Sequence, residues 1–341
     1  MNAEFHYHMT YLIAAKAGLG AENSLIVAKA AQFVDDNSVD YTIDKGKPSE
    51  YRNYISQTMN IIQPKAKLFR IYPLFHFWPG DVDASAGQRR DGLMHKLNTT
   101  PGSQNARWAL KQALATGNLF RIGVAAHGFA DTWAHQNFVG YLHPFNVMPS
   151  VLGYVAPPIG HATAGHNPDW PALVWTDSRL TDKRVDNKRR FLEAAREMLC
   201  AFARYADPSI SEASLSTRAE ELVRDLSSCI GEQDQTNQNE GKRIGRYLEL
   251  STSPAYGGRK LVPYDEDEWF AAAVNERIRG LHDRKDPLRF DPLTDVFTWK
   301  NPAGYKSTEW YRFQETVKQH QDELWDYLKE RNFKGLELPD L

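Results

Sequence analysis

Apolar residues recur at helical spacing along most of the chain. Residues 4–17 form a helix candidate that Gly18 would end, and residues 21–36 a second, with Leu25, Ala28, Phe33 and Val34 turned inward. Prolines 48, 64, 73, 79 and 101 break residues 37–101 into short mixed elements. Ser103 stands where a capping residue belongs for a helix carrying Trp108, Leu110, Ala113 and Leu114, which Gly117 would close. The longest apolar helix candidate is 119–142, which carries polar residues on the face that should be buried. Six prolines then mark 143–176 as a long ordered loop, and loops of that length in compact proteins are usually functional. Helical spacing resumes at 187–206 with Phe191, Ala195, Met198, Phe202 and Tyr205. Thr217 and Glu220 read as a capping box opening the next helix, and 237–250 and 265–282 as further helices. Residues 283–305 read as a loop, and 307–330 as a last helix burying Trp310, Phe313, Val317, Leu324 and Leu328. The pattern predicts one all-α domain, a compact multi-helix bundle with long ordered loops. Residues 1–176 would hold its chemistry and 177–341 would support it.

Composition narrows the function classes. Hydrophobic residues at 42% and charged residues at 25% are ordinary globular values, which excludes a disordered or fibrous chain. A net charge of -2 supplies no bulk attraction to nucleic acid. No run of about 18 apolar residues exists, so no spanning helix is expected. The start has no basic segment, and His6, His8 and Lys16 interrupt its apolar stretch, so a signal peptide is not expected and a cytoplasmic location is. Two cysteines, Cys200 and Cys229, make no thiolate cluster or disulfide framework. Nine of the 11 histidines fall within the first 166 residues, so a metal site would be built there from imidazole and carboxylate.

The strongest local signal is AAHGFADTWAHQNF, residues 125–138. His127, Asp131 and His135 stand at i, i+4 and i+8. Each step of four turns a helix by about 40°, so all three leave one flank, with successive side chains about 6 Å apart. A carboxylate between two imidazoles can bridge two metal ions, each histidine serving a different one. The plainer reading is a buried polar row whose members hydrogen-bond one another, which leaves many buried polar atoms to satisfy.

Other candidates lie in separate segments. His6 and His8 at i and i+2 point about 160° apart on a helix, so at most one faces a common site; His6 is slightly preferred, and a surface histidine is the alternative. Asp35 and Asp36 end a helix, where a carboxylate opposes the dipole; a metal explains such a pair, and so does a solvated loop start. His76, in apolar LFHFWPG, reads as a ligand or a satisfied core histidine. His161 and His166 lie in IGHATAGHNPDW, where glycines let backbone approach a site; His161 is the better ligand candidate. His143, beside Pro144, reads as structural, and His95, His282 and His320 as surface or core residues.

The HxxxDxxxH run followed by Asn137 resembles the helical motif of the zinc-dependent phospholipase C and single-strand nuclease superfamily. It is closer still to the DxxAHxN segment of bacterial and fungal relatives such as the heterokaryon-incompatibility proteins. EFHYHMTYLIAAKAGL, QFVDD and PLFHFWPGD, in that order, are similar to an uncharacterised bacterial family associated with that superfamily. The resemblance covers residues 1–176 and implies a mainly helical protein holding clustered zinc ions. By that resemblance His6 or His8, Asp35 or Asp36, and His76 would join His127 and Asp131, with Asp131 bridging two ions, while His135 and His161 would serve a third. The chain departs from the pattern in three places. The N-terminal tryptophan amine that ligates in secreted members has no tryptophan counterpart here, which predicts that this ligand is missing. The second motif spacing is three residues rather than five. Gly165 stands where a glutamate is expected, with His166 or Asp169 as substitutes.

Clustered ions imply hydrolysis by activated water. The resemblance makes the substrate a small phosphodiester or lipid-like molecule and the cofactor two or three zinc ions, with iron or manganese open, and Asp35 or Asp36 would orient the water as a base. Two other readings stand beside it: a di-iron oxidative enzyme on a helical bundle, and a non-catalytic protein whose metal only braces the helices.

Overall fold

Helix α5, Leu119–Ala134, is buried along its whole length after the first residue, and the other elements are arranged around it. Asn118 caps it by accepting from the Phe120 amide at 3.0 Å. The structure, a computed structural model, describes residues 1–58, 65–82, 89–149, 156–278 and 295–336. Helix α2 (Ala21–Asp36) lies against α5 at a crossing that glycine permits: a Cβ on Gly123 would stand 2.5 Å from the Ala30 Cβ and 2.6 Å from the Val27 carbonyl. Gly128, a turn further on, lets the Trp78 ring close in; a Cβ there would lie 2.3 Å from it. These two glycines set how near α2 and the Trp78 segment come to His127.

Helix α1 (Thr10–Ala17) ends at Gly18 with φ 105°, as the sequence predicts. It is preceded by a π-helical stretch, Glu4–Met9, and a second π-helical stretch, Tyr72–His76, follows α3 (Lys65–Ile71). Helix α4 (Gln104–Ala115) is capped by Ser103, and α6 (Asn187–Ala206) packs on α1, α4 and α5. Helices α7 (Glu212–Ile230), α8 (Glu240–Leu250), α9 (Glu268–Ala273) and α10 (Glu309–Lys329) complete the helical part. One apolar cluster runs from Met1 and Phe5 through α5 to Phe333, with the Phe5 ring edge-on to Phe191 at 5.6 Å.

The fold is mostly helical, not purely all-α. Strands β1 (Thr42–Ile43), β2 (Tyr51–Arg52), β5 (Val274–Arg277) and β6 (Val296–Trp299) form a sheet of order β2-β1-β6-β5, in which β1 runs parallel to β6 and the other pairs are antiparallel. Strands β3 (Val174–Thr176) and β4 (Arg184–Asp186) form an antiparallel pair. Several expected boundaries move. The helix expected over 119–142 stops at Ala134, because the chain leaves helical geometry at His135 and Asn137 turns left-handed with φ 71°. Thr217 lies inside α7, which Ser211 caps instead. The segment expected as a helix over 265–282 is a short helix running into β5, and β6 lies in the expected loop 283–305. Both strands are held by pairing partners distant in sequence, which local periodicity does not reveal. Among the described residues no helix is long and apolar enough to cross a membrane.

Candidate metal centre

Three groups of side chains with metal-ligand chemistry adjoin one another on the flank of α5: His6, His127 and Asp131; Asp35, His76 and His127; and His135, His161 and Asp169. Within each group the candidate ligand atoms lie within 4.8 Å of one another. His127 belongs to two groups, and Asp131 touches the third, its Oδ2 3.5 Å from His135 Nδ1. Both π-helical stretches deliver a member, His6 from the first and His76 from the end of the second. π-turns re-aim single side chains within a helix and recur at functional sites.

The hydrogen bonds behind the histidines determine which ring nitrogen faces the centre. His127 Nδ1 donates to the Ala31 carbonyl at 2.9 Å, His76 Nε2 to Ser56 at 2.9 Å, and His161 Nδ1 to Gly165 at 2.9 Å. His135 Nδ1 meets the His76 carbonyl at 2.8 Å. A carbonyl only accepts, so each of these nitrogens carries its proton and the opposite nitrogen of a neutral ring presents a lone pair. His127 Nε2 and His76 Nδ1 therefore face each other as two acceptors only 3.0 Å apart, both beside Asp131 Oδ2, at 3.2 and 3.5 Å. With both rings neutral, acceptors converge there without a donor. Asp131 Oδ2 and both ring nitrogens of His6 are buried with no hydrogen-bond partner. Native interiors seldom tolerate such groups unless an ion or a proton joins them. The donor set, imidazole nitrogen plus carboxylate oxygen with backbone carbonyls orienting the rings, could hold a transition-metal ion.

The charge balance follows from burial and proximity. Burial works to raise the Asp131 carboxyl, but His135, the Met1 ammonium, His127 and His6 outweigh it and hold it well below the ordinary carboxylate range. Asp169 is held down in the same way, against burial, by His161 and the Met1 ammonium. Burial, then the neighbouring His127, pushes His6 down to about 4. His127 moves upward, because Asp131 and Asp35 outweigh its burial.

One member was not foreseen. The α-amino group of Met1, expected to be missing from the site, lies in it: 2.5 Å from Asp131 Oδ1, 3.4 Å from His135 Nε2 and 3.5 Å from Asp169. The resemblance offers a terminal amine as a ligand, but on a tryptophan, and the Met-Asn-Ala-Glu start counts against it. Glu4, three residues on, holds this end of the chain in place. It is fully buried and accepts from Arg243 Nε and Nη2 of α8, both at 2.8 Å. The second half of the chain thus supports the first through an ion pair as well as packing.

The structure assembles His6, Asp35, His76, His127, Asp131, His135 and His161, with Asp169 as an eighth member. It separates two others from them. His8 projects from the other side of its turn, stacked near Tyr247 at a ring separation of 6.1 Å. Asp36 accepts from the Tyr264 hydroxyl at 2.7 Å and from Gln32, and burial pushes it up to about 6. The pair is thereby resolved in favour of Asp35. His166 is exposed, 3.8 Å from Asp169. His143 caps the turn Pro144–Asn146 by accepting from the Phe145 amide, and His95 packs on it edge-on. His320 is buried beside Arg121 and Leu74. His282 lies outside the described residues.

A cavity of about 570 Å³ adjoins the cluster, lined by the apolar Tyr72, Phe77, Ile159 and Trp170 together with Asp35, His76, Asp131, His135, His161 and Asp169 of the cluster. No lysine or arginine lines it among the described residues.

The family model of a family of unknown function (DUF6765) matches residues 1–328. The chain belongs to the DUF6765 family. No curated protein and no solved structure matches it. Membership therefore carries no activity with it.

Proposed function

We propose that this protein is a metal-dependent hydrolase, acting on small phosphodiester or lipid-like substrates through a cluster of two or three zinc ions. The observation that carries the reading is the meeting of His127 Nε2, His76 Nδ1 and Asp131 Oδ2, three buried acceptors that need a shared cation, beside a cavity that His76 and Asp131 line and a substrate could enter. The likeness of HxxxDxxxH to the phospholipase C and nuclease superfamily supports the choice of reaction. Ions bound there would acidify a water and offset the charge developing on the phosphoryl oxygens. Asp35 is the carboxylate placed to orient that water: its side chain is 24% exposed, it lines the cavity, and its Oδ1 stands 3.7 Å from both His76 and His127. The apolar walls exclude water around the bond to be cleaved and suit an apolar or aromatic substituent on the substrate. With no arginine or lysine in the described lining, the substrate's negative charge would be met at the cluster itself. The ligand groups contain no glutamate, which favours zinc hydrolysis over a di-iron bundle. The test is release of nitrophenol from bis(p-nitrophenyl) phosphate by protein reconstituted with zinc. Turnover that vanishes in Asp131→Asn is expected; turnover that persists undiminished in that variant would overturn the reading.

A further inference from the structure

On the other side of the α5 terminus lies a second cleft of about 520 Å³, lined by α6 and the strand before it. Its floor is the Arg190 guanidinium. Arg190 is only 8% exposed, and its Nη1 is enclosed with no hydrogen-bond partner. The carboxylates whose charge reaches it are Asp177 and Glu193. Asp177 is already taken by Arg179, which donates to both its oxygens at 3.0 and 2.7 Å, and Glu193 stands 3.5 Å from Arg189. A buried cation without its own counter-ion is expensive to maintain. Beside it, Asn137 is 1% exposed and its Oδ1 is also without a partner. Its backbone holds φ 71°, a conformation that non-glycine residues adopt sparingly and that is over-represented at binding sites. Arg184 and Arg189 stand on the rim of the cleft, each within 3.5 Å of a carboxylate, Asp186 and Glu193 respectively. Asp182 completes the acidic part of the rim.

We propose that this cleft is a binding site for a phosphoryl anion, inorganic phosphate or the head of a phosphomonoester, separate from the metal centre. Arg190 supplies the buried charge and a fork of N–H donors; the α6 terminus adds nothing, because Asp186 caps it by accepting from the Arg189 amide at 3.3 Å. Asn137 Oδ1 accepts from the P–OH that inorganic phosphate retains near neutral pH and that a phosphomonoester carries only as its monoanion, below about pH 6; sulfate lacks this donor. The rim carboxylates paired to Arg184 and Arg189 keep the cleft from attracting anions in bulk, so selection rests on the floor. Asn137 completes the HxxxDxxxHxN run, and this site accounts for the one residue of that run that faces away from the metal groups.

The test is thermal unfolding of the full chain in phosphate at constant ionic strength, against chloride and sulfate, for wild type, Arg190→Met and Arg190→Lys. Phosphate at tenfold its Kd should raise the wild-type Tm by about 2–4 °C. Arg190→Met should show none of that increment, and sulfate should act less strongly than phosphate. Arg190→Lys, which keeps the charge without the fork, should bind phosphate about tenfold more weakly. In phosphate-free buffer Arg190→Met should match or exceed wild type in Tm, because it removes an uncompensated charge. A structural arginine would do the reverse, so a large loss of Tm in phosphate-free buffer would overturn the proposal. So would equal responses of wild type and Arg190→Met to phosphate, equal responses to phosphate and sulfate, or no wild-type response. Glycerol 3-phosphate run in parallel separates the sources: tighter binding than phosphate points to a phosphomonoester, equal binding to the free ion, and each supports the site.

Discussion

Replacing Asp131 by asparagine keeps the side chain's shape and removes its charge. The carboxylate is 1% exposed, 2.5 Å from the Met1 ammonium and within 3.5 Å of four imidazoles. Two separate losses follow. Without metal, a buried cation loses its partner, and breaking such a pair costs about 3–5 kcal/mol. With metal, the protein also loses the stabilisation that bound ions confer, about 4 kcal/mol when free metal is a thousandfold above its Kd. At roughly 2 °C per kcal/mol for a chain of this size, chelation should lower the wild-type Tm by about 8 °C. Asp131→Asn should start lower and respond to chelator by less than about 2 °C. The assay is scanning calorimetry of both proteins with and without a chelator, and the diagnostic quantity is the difference between the two chelator shifts. Equal shifts in the two proteins would refute the assignment of Asp131 as the shared ligand, whatever the absolute stabilities.

Other perturbations separate the parts of the site. His161→Ala removes one member of the outer group and leaves the two inner groups whole. It should lower metal content by one equivalent, read by mass spectrometry, and loss of all metal would contradict the division into groups. Gly123→Ala forces a methyl against Ala30 and the Val27 carbonyl at the α2–α5 crossing. Overpacking of that kind costs about 1–3 kcal/mol, and it should also weaken zinc binding by pushing Asp35 and the Ala31 carbonyl away from His127; unchanged denaturation midpoint and zinc affinity would show the crossing to be slack. His8, outside the cluster, is pushed down to about 4 by burial. Its folded form stays neutral while the unfolded form protonates near pH 6.5, so stability falls as pH drops from about 6.5 to 4 and levels below, by about 3 kcal/mol in all. His8→Gln should remove that part of the slope in urea midpoints measured across this window, and an unchanged slope would place the proton elsewhere.

Much of the centre was legible because its core lies on one regular helix. His127 and Asp131 lie within α5, and His135, its C-cap, still donates to the Asp131 carbonyl at 2.8 Å, so the four-residue spacing survives the early stop at Ala134. The helical angle between His6 and His8 showed that at most one of them could face the site, and packing of His8 against Tyr247 leaves His6 in the group. Between Asp35 and Asp36 it needed the tertiary partner Tyr264, which comes from 228 residues away and has no local signal. The Met1 amine, the ring orientations set by Ala31, Ser56 and Gly165, and the sheet built from β1 and β6 all depend on backbone groups or long-range pairing. A pattern of side chains along the chain carries no record of them.

The most direct measurement is the metal content of wild-type protein purified without added metal. With three adjoining groups, two of which share His127, between about two and three equivalents of zinc per chain are expected. Less than one equivalent of any transition metal would contradict that expectation.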